Sequence, residues 1–241
     1  MSQWITCLLN LTRPRSILTQ ELLESFAGAC EPWLRYDHKA HEPCLEELEM
    51  VRTLSTMLAL GVKAPSFELP NVLGGRVSLE DFADQKALLV MFISKHCPFV
   101  KHVVEELSRL GKDYSDADVG IVAISSNDIE NYPDDAPERL AEMSRIHDFQ
   151  FPVCYDADQS VAKAYEAACT PDFFLFDSEH RLVYRGQLDD SRPETSIPVD
   201  GRDLRAAIDA LLNDQEVDPN QKPSLGCNIK WIEGNEPDYF G

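Results

Sequence analysis

The sequence predicts an α/β protein with a central mixed β-sheet, helices on both faces, an N-terminal helical extension and a C-terminal tail. Three observations favour this class. Residues 87–93 and 119–125 are apolar runs with the length and composition of buried strands. Apolar residues after Cys97 recur at the three- and four-residue spacing of an amphipathic helix. Strands and helices then alternate before a final hairpin and helix, which is typical of a mixed sheet covered on both faces.

Local signals predict the elements in order. Gly74 and Gly75 indicate a hairpin turn, because glycine supplies the positive φ that tight turns need. Ser78 before two acidic residues indicates a helix start, and Gly111 is expected to end the helix that follows Cys97. The remaining predictions are helices over 136–147, 160–168 and 201–213, a short edge strand over 151–156, and a hairpin of strands over 172–177 and 181–188.

The chain divides by composition into an extension (1–57), a main domain (58–215) and a tail (216–241). Helical spacing within and just beyond the extension predicts helices over 17–26 and 43–60. The tail is rich in proline, glycine and acidic residues. Its apolar segment contains one cysteine, and we expect that segment to fold back on the domain or to serve as packing.

Composition excludes several classes of function. The formal net charge of −20 argues against nucleic acid and anionic membrane surfaces as partners. No run of eighteen apolar residues and no basic-then-apolar leader occurs, so we expect neither a transmembrane helix nor a signal peptide. Seven cysteines without metal-finger spacing indicate a reducing compartment, and we expect a cytoplasmic protein. His38, His41 and Cys44 lack a clear fourth ligand, so we predict no metal site and no cofactor.

The main candidate for chemistry is Cys97, which lies where the first apolar run ends and a helix begins. Pro98 suits the first helical turn, where its missing N–H would have no partner. A helix N-terminus favours a thiolate over a thiol. Lys95, His96 and Lys101 add positive charge, so we predict that they stabilise the thiolate. The alternative is an inert, buried cysteine at a helix start.

A polar, acidic loop over 127–137 follows the second buried strand and contains Tyr132 to Asp135. In α/β folds, ligand contacts lie at the carboxyl ends of strands, so this loop is a second candidate contributor to the site. The alternative is a solvated connection without a role in chemistry.

The strand, the Cys-Pro-Phe-Val-Lys segment and the helix together resemble the active site of the thioredoxin fold. Cys97 takes the place of the first cysteine of its Cys-x-x-Cys motif, and Val100 that of the second. Residues 61–231 resemble the peroxiredoxin-like proteins of the alkyl hydroperoxide reductase and thiol-specific antioxidant family. An Ala-Pro-x-Phe-x-Leu opening at Ala64 and a Gly-Cys-x-Ile-Lys-Trp ending at Gly226 carry this second resemblance.

The resemblance implies further site residues. Pro171 heads a strand and matches the cis proline that faces the cysteine in the thioredoxin fold. Thr170 and Pro171 are therefore expected to bind a peptide or a mixed-disulfide partner. A second thiol must resolve the sulfenate or mixed disulfide on Cys97. Cys169 is slightly favoured for its nearness to the proline, and Cys227 on the tail is the alternative.

Other family features are matched only in part. The central strand is apolar throughout and supplies no buried acid of the kind that thioredoxins keep there. Ser94 lies three residues before the cysteine, where peroxiredoxins have a threonine. Arg145 and Arg185 are candidates for the arginine that peroxiredoxins also use. Cys154 is interpreted as structural.

Three hypotheses follow. The first is a thiol-based oxidoreductase that reduces peroxides or protein disulfides through Cys97, with a thiol electron donor such as a thioredoxin or glutathione system. The second is a redox-sensing, peptide-binding module without turnover. The third is a structural protein with an inert cysteine. Multiple turnover separates the first from the second, and slow alkylation of Cys97 at pH 7 supports the third.

Overall fold

The computed structural model describes residues 52–240. Within this range the strands are β1 (Arg52–Leu54), β2 (Glu68–Pro70), β3 (Arg76–Ser78), β4 (Ala87–Phe92), β5 (Val119–Ser125), β6 (Val153–Tyr155), β7 (Cys169–Thr170), β8 (Asp172–Asp177), β9 (Leu182–Gly186) and β10 (Leu225–Asn228). The helices are α1 (Pro98–Asp113), α2 (Pro137–Ile146), α3 (Ser160–Ala164) and α4 (Arg202–Leu212), with short 3₁₀-helices at Leu79–Phe82 and Pro133–Asp135.

The main sheet has five strands in the order β6-β5-β4-β8-β9. β4, β5 and β6 are parallel, whereas β8 and β9 run antiparallel to their neighbours. Parallel neighbours need a crossover, which α1 supplies between β4 and β5 and α2 between β5 and β6. The predicted mixed sheet is therefore confirmed.

The central strand β4 is buried on both faces of the sheet. Leu89 and Met91 belong to one core cluster, which also contains residues of α1, α2 and α4. Leu88, Val90 and Phe92 belong to a second cluster with residues of α3 and of the β2–β3 hairpin. Successive side chains of a strand point to opposite faces, so a continuous apolar run is needed where both faces are covered.

The local predictions before the central strand are also confirmed. Gly74 and Gly75 both have positive φ, at 110° and 79°, in the turn between β2 and β3. The Asp81 carboxylate accepts a hydrogen bond from the Ser78 backbone N–H at 2.8 Å, which marks the start of the 3₁₀-helix.

Two predicted helix ends and one predicted helix are wrong. α1 continues through Gly111 because this glycine is a packing residue: a Cβ there would lie 2.8 Å from the Phe151 ring. α3 ends at Ala164 rather than at residue 168, and Glu166 has a positive φ of 50°. The helix predicted over 43–60 is a strand at Arg52–Leu54, and the rest of the extension that precedes Arg52 lies outside the described residues.

A second sheet of three short strands has the order β1-β10-β7. Its middle strand comes from the tail: Cys227 lies opposite Arg52 on one side and opposite Thr170 on the other. Gly226 permits the close approach, since a Cβ there would lie 2.1 Å from the Thr170 carbonyl oxygen. Ile229 is buried as well, so this tail segment is part of the folded core.

Between residues 52 and 240, no helix is both long and apolar enough to cross a membrane. The division at residues 57 and 215 stays a prediction.

Candidate active site

Cys97 lies between β4 and α1, as predicted from the sequence. It is the N-cap residue of α1, Pro98 occupies the first turn, and that turn contains no acidic residue. Its side chain is fully buried. A thiol at this place meets the partial positive charge of the helix N-terminus, which favours the thiolate.

The Thr170–Pro171 peptide bond is cis, as the resemblance implied. The Thr170 carbonyl faces Cys97: in its protonated form Cys97 donates its S–H to this oxygen, with Sγ and O 3.1 Å apart. The edge of β7 on which a peptide was expected to pair already carries β10 of the same chain. Peptide binding by Thr170 and Pro171 stays a prediction, and it requires β10 to move away.

The pKa of Cys97 is lowered from its ordinary value of 9.0 to about 6. The largest cause is the hydrogen bond from the Cys227 thiol, which stabilises the Cys97 thiolate. Burial opposes this effect, whereas the Thr170 side chain and the backbone N–H groups of Val100 and Cys227 add to it. The buried Thr170 hydroxyl makes no other hydrogen bond among the described residues, so it is available to the Cys97 thiolate.

The basic side chains predicted to stabilise the thiolate are not among the contacts that lower the pKa of Cys97. Lys95 Nζ binds the Glu142 carboxylate at 2.7 Å, and His96 Nδ1 lies 2.6 Å from Asp135 Oδ2. Lys101 is exposed to solvent on α1. Local donors rather than nearby basic side chains therefore account for the lowered pKa of Cys97. Residues next to the N-cap in sequence can direct their side chains away from it, and the spacing of residues in the sequence does not show that direction.

Asp135, in the acidic loop after β5, organises the segment before Cys97. Its carboxylate is fully buried and accepts hydrogen bonds from Ser94 Oγ at 2.9 Å and from the Lys95 backbone N–H at 2.6 Å. Ser94 Oγ in turn accepts the Cys97 N–H at 3.3 Å. Burial opposes ionisation, but hydrogen bonds from His96 and other donors lower the pKa of Asp135 below its ordinary value. The sequence singled out this loop but not this residue.

The same loop connects the active-site segment to the tail. His96 stacks on the Tyr132 ring, with centroids 5.3 Å apart, and Lys230 Nζ lies 5.4 Å from the centre of that ring. Asn127 donates to Asp135 at 2.7 Å and accepts the Lys230 N–H at 2.8 Å. One polar network thus fixes the segment before Cys97 and the segment after Cys227.

The two candidate second thiols differ in their relation to Cys97. Cys227 is in hydrogen-bond contact with it, whereas Cys169 is fully buried and places its Sγ 3.6 Å from the Pro171 carbonyl oxygen. Burial raises the pKa of Cys169 well above its ordinary value, and the hydrogen bond to Cys97 together with burial raises that of Cys227, so the two thiols differ in contact and not in acidity. Burial likewise raises the pKa of Cys154, on β6, to about 12. The contacts therefore reverse the slight preference for Cys169 that nearness in sequence suggested.

The buried acid that β4 lacks is supplied by the neighbouring strand. Asp172 lies opposite Phe92 in the register of β4 and β8, and its burial raises its pKa to about 8. Neither arginine candidate faces Cys97 in a described contact. Arg185 Nε donates to the Leu58 carbonyl at 2.8 Å, and Arg145 is exposed on α2.

No group of three or more metal-ligating side chains occurs in the part of the chain that the structure describes. The loose cluster of His38, His41 and Cys44 lies outside that part.

Comparison with known proteins places the chain in a family. The model of the AhpC/TSA family matches residues 60–185, which is more than half of the chain. The chain belongs to the AhpC/TSA family. A Mycobacterium tuberculosis (H37Rv) protein named "Putative peroxiredoxin Rv2521" is 31% identical over 116 residues, which cover 48% of this chain and 68% of that protein.

Solved structures give the same fold for this AhpC/TSA protein. The crystal structure of an uncharacterized conserved protein from Geobacillus kaustophilus is 53% identical, with a TM-score of 0.75, over 76% of this chain and 97% of that one. A Chlorobium tepidum structure named a "putative Thiol:disulfide interchange protein DsbE" matches with a TM-score of 0.52 at 21% identity, over 64% of this chain and 99% of that one. The thioredoxin-like fold expected from the sequence is therefore confirmed.

Proposed function

We propose that this AhpC/TSA protein is a thiol-based oxidoreductase in which Cys97 is the nucleophile and Cys227 is the resolving thiol. The contact between these two sulfur atoms across the β7–β10 pair is the observation that carries the proposal. A thiolate with a pKa of about 6 is the predominant form at pH 7, and the thiolate is the reactive form of cysteine.

The reaction proceeds in two bond-forming steps. The Cys97 thiolate attacks one oxygen of a hydroperoxide, the O–O bond breaks, and the products are Cys97 sulfenic acid and an alkoxide or hydroxide that takes up a proton. Cys227 then attacks the sulfenic sulfur, the disulfide forms, and water leaves. An external dithiol, such as a thioredoxin, or two molecules of glutathione reduce this disulfide and complete the cycle.

A small oxidant fits this site better than a protein disulfide. Cys97 is fully buried, and the strand edge at Thr170 that would pair with a protein substrate is occupied by β10. Hydroperoxide is therefore our first choice of oxidant. The same observation disfavours the peptide-binding module, because that function needs a free edge at Thr170.

The test is to mix the reduced protein with one equivalent of hydrogen peroxide and follow thiol loss, with peptide mapping of the product. We expect rapid loss of two thiols and a disulfide between Cys97 and Cys227. Cys154→Ala is the matched control, since it removes a buried thiol on a different strand and should leave both results unchanged. Slow loss of thiol, or a disulfide that includes Cys169 instead, contradicts the proposal.

A reducing location, the cytoplasm, is part of the proposal. None of the four cysteines in the described range forms a disulfide, which supports it.

A further inference from the structure

Cys227 is placed over Cys97 by backbone geometry that does not depend on its own side chain. It lies opposite Thr170, whose carbonyl oxygen is 3.1 Å from Cys97 Sγ. Gly226 lets the two strands approach closely, and β1 holds the other edge of β10. Both sulfurs are buried in the same core cluster, with Cys227 only 3% exposed. A thiol held in this way remains beside Cys97 before any oxidation has taken place.

The first step of the proposed reaction needs a proton at this place. When the O–O bond breaks, the departing oxygen carries a negative charge beside a fully buried side chain. General acid catalysis of such a step contributes about 10²–10⁴-fold to the rate. A side chain beside Cys97 that donates a proton to this oxygen would therefore speed the step.

The basic groups near Cys97 have other partners. Lys95 and His96 are held by Glu142 and Asp135. On α1, Lys101 is exposed to solvent, and His102 Nε2 lies 2.8 Å from Ser191 Oγ. After β10, Lys230 Nζ donates to Asn228 Oδ1 at 3.0 Å and lies over the Tyr132 ring.

Two titratable side chains on β7 and β8, Cys169 and Asp172, also contact other groups. Asp172 accepts the backbone N–H groups of Phe173 at 3.2 Å and Ala168 at 3.4 Å, and Cys169 is directed to the Pro171 carbonyl. Among the described residues, Cys227 is thus the titratable side chain in hydrogen-bond contact with the Cys97 sulfur. The Thr170 hydroxyl is the other side-chain donor. The hydrogen bond to Cys97 and burial hold the pKa of Cys227 above its ordinary value, but attack on the peroxide consumes the Cys97 thiolate, so Cys227 becomes a stronger acid as the step proceeds.

We propose that Cys227 is the proton donor of the first step, before it acts as the resolving nucleophile. This inference rests on the proposed function. As the Cys97 thiolate attacks the peroxide, the Cys227 S–H proton passes to the departing oxygen, which leaves as water or an alcohol. Cys97 becomes sulfenic acid and Cys227 becomes a thiolate. That thiolate attacks the sulfenic sulfur, the disulfide forms, and hydroxide leaves, so one proton transfer also activates the second nucleophile.

The experiment compares Cys227→Ala with the wild type in two reactions of Cys97. Attack on hydrogen peroxide needs a proton for the departing oxygen, whereas alkylation by iodoacetamide releases iodide and needs none. Both rates are measured on the pH plateau where Cys97 is fully ionised, so that a change in the fraction of thiolate does not contribute. A sulfenic-acid trap reports the first step in the variant, which cannot form the Cys97–Cys227 disulfide.

We expect the peroxide rate of Cys227→Ala to fall at least about tenfold on the plateau. Its alkylation rate should stay equal or rise, because the smaller side chain opens space beside Cys97. Cys227→Ser keeps a weaker proton donor at the same place, and its peroxide rate should lie between the two.

Other outcomes overturn the inference. One is an equal plateau rate with peroxide in the wild type and Cys227→Ala. Another is an equal loss in both reactions, which would indicate altered access. A third is a loss confined to Thr170→Val, which would make the Thr170 hydroxyl the donor. A wild-type protein that is alkylated normally but does not react with peroxide contradicts the proposed function itself, and this result is distinct from the other three.

Discussion

Cys97 and Cys154 are both fully buried and both free thiols, yet their pKa values move in opposite directions. Burial alone acts on Cys154, within β6, and raises its pKa to about 12. At Cys97 a thiol, the Thr170 side chain and two backbone N–H groups donate to the sulfur, and together they outweigh burial. The comparison shows that hydrogen-bond donors, not exposure, decide which cysteine of this fold is acidic.

The sharpest test of the comparison removes each sulfur in turn. Cys97→Ser should lower the rate of peroxide reduction by about 10³-fold or more, because the nucleophile itself is lost. Cys154→Ala should keep the rate within about twofold and cost about 1 kcal/mol of unfolding free energy, since it leaves a small cavity. Steady-state peroxide consumption and chemical denaturation give both values. Equal losses of activity in the two variants would contradict the assignment of different roles to Cys97 and Cys154.

A second test concerns the carboxylate that positions the Cys97 segment. Asp135→Asn keeps the shape but loses the charge that His96, Ser94 and the Lys95 N–H bind, so we expect a loss of about 1–3 kcal/mol of unfolding free energy at pH 7. Because folding lowers the Asp135 pKa, its contribution is complete above the ordinary value of 3.8 and is lost as the pH falls through the lower folded value. The difference between variant and wild type, measured by denaturation, should therefore shrink below pH 3.8. A difference that is constant with pH would contradict this origin.

The acidity of Cys97 can be measured directly. A folded pKa of about 6 predicts that its alkylation rate rises about tenfold from pH 5 to a plateau above pH 7. Cys154 should stay unmodified throughout this range in the folded protein. Iodoacetamide labelling with peptide mass analysis at each pH separates the two thiols. A midpoint at or above pH 8.5 for Cys97 would show that the donors do not overcome burial.

The smallest expected effect belongs to the basic side chains. Lys95→Ala and Lys101→Ala should change the free energy of Cys97 ionisation by less than about 0.5 kcal/mol, because one lysine is bound to Glu142 and the other is exposed. The alkylation midpoint is the readout, and the Cys227→Ala variant is the positive control that should shift it upward. A clear upward shift in a lysine variant would restore the prediction from sequence that these charges stabilise the thiolate.

Features set by neighbouring residues were predictable. The buried run of β4, the Gly74–Gly75 turn and the strand–helix junction at Cys97 follow from patterns a few residues long. The cis bond at Pro171 came instead from a resemblance to a known fold.

Features set by distant pairing were not predictable. Asp135 binds Ser94 across 41 residues, and Cys227 reaches Cys97 only because β10 pairs with β7. Such contacts depend on the free energy of the whole folded chain, so no pattern of a few neighbouring residues predicts them. The predicted end of α1 was wrong for a related reason, since Gly111 packs against Phe151 and does not end the helix.

The position of β10 also bears on how the protein is made. Cys97 and Cys227 are far apart in the chain, and β10 follows every other strand and helix of the described range. While the chain is being synthesised, Cys97 emerges long before the strand that supplies its main hydrogen-bond donor. The donor that contributes most to the lowered pKa of Cys97 is therefore absent until β10 has been synthesised and has paired with β7.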